Sequence, residues 1–191
     1  IIAQTLSTGF FWFGLKPDPL ILAQQISSTG KSIEKRKLKE AAAIIRSKPV
    51  AAFAVVSIAL SHMVMVSVMS MTPAHLSSEG HSLSDVGLTI SLHVAGMYAF
   101  SPVFGVISDK LGARPTILMG QLILLISLAV SGFGASNFTL VVIGLFLLGL
   151  GWSAGTVAGS ALLSEELATD EKPAVQGFSD SLMSLSGAFG G

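Results

Sequence analysis

The chain has 191 residues, 51% of them hydrophobic and only 12% charged, with a mean hydropathy of +0.73. Those values lie outside the range of soluble globular domains and predict an all-α, polytopic membrane helix bundle. Eleven Lys and Arg balance eleven Asp and Glu, so no basic excess points to nucleic acid. The lack of cysteine removes disulfides, thiolate metal sites and cysteine nucleophiles.

Where the positive charges fall is more informative than their sum. They are Lys16, Lys31, Lys35, Arg36, Lys37, Lys39, Arg46, Lys48, Lys110, Arg114 and Lys172, with none between 49 and 109 or between 115 and 171. Short segments rich in Lys and Arg stay on the cytoplasmic side of a membrane. Residues 16–48, 110–114 and 172 are therefore expected inside, and the loops at 73–85 and 134–138 outside.

In chain order, residues 1–15 are apolar but too short to span, and they end at Lys16, Pro17, Asp18 and Pro19. They read as the cytoplasmic end of a truncated helix, and the chain as a piece of a longer polypeptide. Residues 16–48 form a basic linker in which Ile33, Leu38, Ala41, Ile44 and Ile45 recur at helical spacing. This predicts a short amphipathic helix, either lying on the anionic inner leaflet or serving as a solvated tether. Spans are expected at about 50–72, 86–108, 115–134 and 138–163, with a truncated span from 174. Pro49, Pro115 and Pro173 mark helix starts on the inner side, where a missing N–H costs nothing. Pro102 is expected to bend the second span. His75, Glu79, His81 and Asp85 crowd the outer loop 73–85 but match no metal-ligand spacing, so no metal site is expected. In the fourth span Gly151, Gly155 and Gly159 lie on one stripe, which suits close helix packing. The acidic loop 164–173 supplies Thr169 or Asp170 as a cap for the last helix.

Polar groups at bilayer depth are candidate functional positions, because they are costly unless they face a cavity. His62 shares a face of the first span with Ser61, Met65, Met69 and Thr72, and His93 shares a face of the second with Thr89, Gly96 and Met97. His62, Met65, His93 and Met97 are candidate pathway-lining or proton-linked residues; the alternative is that each His bonds a neighbouring helix and each Met packs. Asp180, about two turns after Pro173, is a further proton-linked candidate. No phosphate-binding glycine loop, zinc-protease helix or nucleophile elbow is present, so no enzyme is indicated.

Between the second and third spans lies GVISDKLGARP, with Gly105, Asp109, Lys110, Gly112 and Arg114 at the spacing G-x-x-x-D-[KR]-x-G-x-R. This resembles the loop signature of the major facilitator superfamily of secondary transporters. MTPAHL, SLHVAGMYAFSP and VQGFSD are similar to stretches of its bacterial drug-efflux-like members. The resemblance implies part of a twelve-helix fold, with 16–48 as the central linker and 49–191 as a C-terminal bundle whose N-terminal partner bundle is missing. It implies a multi-pass protein of the plasma membrane that binds a small-molecule substrate and works by alternating access. It also implies no cofactor beyond a proton or other ion gradient. Asp109 would contact the N-terminal end of a helix in the other half, Arg114 would pair with acids, Lys110 would add charge, and Gly105 and Gly112 would permit close approach and a tight turn. Proton-coupled efflux is the favoured expectation. Nutrient uptake by the same fold, or a non-transporting receptor or assembly factor, are the alternatives.

Overall fold

A computed structural model of the chain describes residues 38–191, and every regular element in it is an α-helix. The apolar segment at 1–15 and the linker from 16 to 37 lie outside the described residues. The helices are α1 (Leu38–Ser47), α2 (Pro49–Ser78), α3 (Leu83–Tyr98), α4 (Ser101–Leu111), α5 (Ala113–Phe133), α6 (Phe138–Glu166) and α7 (Lys172–Gly190). Four stretches are long and apolar enough to cross a membrane: α2, α3 with α4 taken together, α5, and α6. The chain is thus a polytopic helical bundle.

The first span outruns its expected limits. Pro49 sits in its first turn, but the helix runs on through Pro73 to Ser78, so its 30 residues extend about 45 Å. The outer loop shrinks accordingly to residues 79–82. His75, assigned to that loop in sequence, is instead helical, and its Nε2–H donates to the Ala135 carbonyl at 2.8 Å. His81 stacks on Phe138 with centroids 4.6 Å apart. Asp85 closes a capping box with Ser82 at the start of α3, accepting from the Ser82 amide at 3.0 Å.

Pro102 interrupts the second span rather than bending it, leaving a turn at Ala99 and Phe100 between α3 and α4. The amide that Pro102 lacks would have bonded the Tyr98 carbonyl; the Ser101 hydroxyl donates to that carbonyl instead, at 2.6 Å. α5 begins at Ala113, two residues before Pro115. The N-cap of α7 is Glu171 rather than Thr169 or Asp170, and the Glu171 side chain makes no cap bond.

Three buried layers stack along the bundle. The first layer joins Ala41 and Ile45 of α1 to Ala54, Ile117, Leu163 and Val175. The apolar stripe of α1 is thus spent on the bundle and is not available to a leaflet surface. At the same end, Lys48 Nζ meets Glu171 Oε2 at 2.5 Å and the Glu166 carbonyl at 3.2 Å, while Glu171 also accepts from the Ala168 amide at 2.9 Å. The middle layer is Met65, Met97, Leu124 and Leu148, and the outer layer is Leu76, Val86, Val141 and Leu145.

Helix α6 passes through all three layers and packs on α2, α3, α4 and α5. Its glycines set the spacing. A Cβ at Gly151 would lie 2.9 Å from the Gly120 carbonyl oxygen of α5, one at Gly155 would lie 2.6 Å from Ser61 Oγ of α2, and one at Gly159 would lie 2.7 Å from Ile58. A Cβ at Gly149 would strike the His93 carbonyl of α3. By contrast, a Cβ at Gly87 would meet nothing within 4 Å. Gly149→Ala should therefore cost about 2 kcal/mol by forcing backbones apart, whereas Gly87→Ala should be neutral or mildly stabilising. Unfolding of the full-length protein in mixed detergent distinguishes them; equal stability of the two variants would refute the close-approach account.

Candidate functional site

The loop signature forms a corner. Gly112 alone separates α4 from α5, and its φ of +95° and ψ of 153° are open to glycine and strained for other residues. Its amide donates to the Ser108 carbonyl at 2.9 Å, and its own carbonyl accepts from Thr116 Oγ1 at 2.9 Å. Gly105 faces open space on α4. Asp109 and Lys110 end α4, Arg114 opens α5, and all three are exposed. Asp109 sits at a helix end whose free carbonyls favour cations, and Arg114 at one whose free amides favour anions. Both stand against the field of their own helix. Neither has a hydrogen-bond or ion-pair partner among the described residues.

The two intramembrane histidines occupy different interfaces. His93 of α3 is 1% exposed, and its Nδ1 lies 2.9 Å from the Leu145 carbonyl of α6. A carbonyl can only accept, so the proton is assigned to Nδ1 and the lone pair to Nε2. That Nε2 is buried without a partner. His62 of α2 is half-buried and faces α7, where a Cβ at Gly187 would touch its ring at 3.1 Å. Its Nδ1 is likewise buried and unpartnered. Met65 and Met97 meet in the middle buried layer, with Trp152 packed against them.

Asp180 is exposed on α7, accepting from Gln176 Nε2 at 3.2 Å. Seven residues separate it from Gly187, so it stands about 10 Å nearer the N-terminal end of α7 than His62 does. The glycines 151, 155 and 159 divide between two neighbours, Gly151 turning to α5 and the other two to α2.

Several polar residues of the middle layer had no role assigned from sequence. Gln121 Nε2 of α5 donates to Ser61 Oγ at 2.8 Å and to the Ser57 carbonyl at 3.3 Å, tying α5 to α2 beside Gly155. Trp152 Nε1, Ser153 Oγ and Thr156 Oγ1 of α6 are buried without partners. Their signal in the sequence was position alone, since Trp152 is the middle residue of the span from 138 to 166. A separate cavity of about 270 Å³ opens between the outer ends of α2, α5 and α6. It is lined largely by apolar side chains such as Met71 and Leu128 and lies outside the middle layer.

This pattern, a charged glycine corner on one membrane face and unpaired polar atoms at mid-depth, agrees with the comparison to known families. The family model of the Major Facilitator Superfamily matches residues 9–191. The chain belongs to that superfamily. Two relatives from Bacillus subtilis (strain 168), the uncharacterized MFS-type transporters YddS and YdeG, are each 37% identical, over 182 and 179 residues. Each alignment covers 93% of this chain and 41% of the relative, so the chain spans about two fifths of their length. The riboflavin transporter RfnT of Brucella anthropi is 28% identical over 125 residues, 64% of this chain and 31% of that protein. No solved structure matches the chain.

The His93 bond pins two spans of this superfamily fold together. His93→Leu removes the donor to Leu145 while keeping an apolar body, and should lower stability by about 1 kcal/mol. A variant that unfolds like the parent would show that the bond contributes nothing.

Proposed function

We propose that the full-length polypeptide is a secondary transporter that carries a small molecule across the plasma membrane by alternating access, with proton-coupled export as its mode. The observation that carries this reading is the set of unpaired polar atoms at mid-membrane depth: His62 Nδ1, Trp152 Nε1, Ser153 Oγ and Thr156 Oγ1. In hydrocarbon such groups are costly, and they persist where a substrate or water takes them up in part of a cycle. Membership of a transporter superfamily supports a carrier rather than an enzyme, and its energy source would be an ion gradient with no bound cofactor.

Two residues take named parts in the cycle. His62 is the proton-linked group, because an imidazole changes charge near working pH and this one has a nitrogen still free at mid-depth. Asp109 is one side of a latch closing the cytoplasmic face. Its exposure at a corner, against its own helix field, supports a counterpart in the missing bundle. Uptake by the same machinery is the second reading; the relative named as a riboflavin transporter is compatible with either direction. A receptor or assembly factor would bind without moving its ligand.

Reconstituting the full-length protein in vesicles with an imposed pH gradient tests the reading. Flux should follow the gradient outward, Asp109→Asn should cut it at least tenfold with insertion intact, and His62→Gln should flatten its pH dependence. Flux in the opposite sense selects the uptake reading, and flux indifferent to both substitutions removes the latch and the proton role.

A further inference from the structure

The middle layer holds a feature more specific than a polar patch. On α6, Gly155 and Gly159 face α2, and Gly149 faces α3. At 100° per residue, Trp152 and Thr156 fall between those two directions. They therefore project toward the gap where α2 and α3, which touch only sparsely, diverge. On α2, His62 lies one residue past Ser61, which stands opposite Gly155, and its ring faces Gly187 of α7. Met65 and Met97 form the floor of the gap. Tyr98, 62% exposed, meets the Trp152 ring edge-on with centroids 6.1 Å apart and an interplanar angle of 69°.

The chemistry of this gap restricts what enters it. An indole N–H can only donate, so a ligand that satisfies Trp152 must bring an acceptor. Aromatic and thioether walls favour a flat, polarisable ring system. No Asp, Glu, Lys or Arg occurs between residues 49 and 78, 86 and 108, or 115 and 164, so these spans offer no carboxylate to balance a positive charge on the ligand. A buried ion without a counter-charge is strongly disfavoured.

We propose that Trp152 is a specificity-determining residue, its indole N–H donating to an acceptor on an uncharged, planar heteroaromatic substrate held between Tyr98 and the two methionines. Thr156 supplies a second hydrogen bond. The assignment rests on the transporter reading and names the substrate class of the same site.

A matched pair of probes tests it. Acridine and anthracene have the same three-ring shape and differ in one ring acceptor, and acridine is neutral in mildly alkaline buffer. Binding to the purified full-length protein is measured by equilibrium dialysis without any gradient, so the result stands apart from whether flux is seen. Acridine should bind roughly tenfold more tightly than anthracene. Trp152→Phe keeps an aromatic ring and loses the donor; it should abolish that preference. Thr156→Val should reduce the preference, and a permanently charged analogue, N-methylacridinium, should bind more weakly than acridine. Equal binding of acridine and anthracene to the parent protein overturns the proposal, as does a preference that survives Trp152→Phe. If binding behaves as stated and no flux occurs, the site stands and the transporter reading falls.

Discussion

Backbone approach around α6 is the constraint on which this bundle depends. In a bilayer, apolar side chains gain little by leaving lipid for protein, so helices associate through close packing and a few polar contacts. Here glycines at 120, 149, 151, 155 and 159 bring backbone or short side chains within contact distance of three neighbouring helices. The polar contacts fall at the same seams: Ser127 Oγ donates to the Gly144 carbonyl at 2.7 Å, and Ser186 Oγ to the Ala59 carbonyl at 3.0 Å. Gln121 adds an amide bridge between α5 and α2. Removing side chains at α6 fixes both the spacing of the helices and the positions where hydroxyls reach across.

That dense packing makes the unpaired atoms of the middle layer more telling. Where this protein needs a backbone group satisfied, it supplies a partner, as Ser101 does for the Tyr98 carbonyl beside Pro102. Trp152, Thr156 and His62 are left out of that pattern although serine and threonine partners are abundant nearby. Trp152 and Thr156 project between α2 and α3, which touch only sparsely.

Depth was legible in the sequence, and direction was not. Runs of apolar residues located the four candidate spans. Pro73 misled because proline was read as a boundary, while α2 tolerates it within a helix that outruns the hydrocarbon core. The apolar stripe of α1 announced amphipathicity without naming its partner, which proved to be the bundle's own inner end. His62 and His93 each marked a polar helix face, yet their interfaces differ because a helical wheel fixes angles within one helix and not the neighbour at each angle. Gln121 and Trp152 carried no signal in the sequence beyond their position, since their meaning comes from contacts made across spans.

The corner at Gly112 has a mechanical consequence. With a single residue between them, α4 and α5 form two arms about 16 Å and 31 Å long that meet at Gly112. The longer arm carries Gly120 and Gln121, which are packed onto α6 and bonded to α2. A displacement of Arg114 in the first turn of α5 is therefore carried along one helix to the seam beside Gly155, whereas a displacement of Asp109 reaches that seam through the glycine joint.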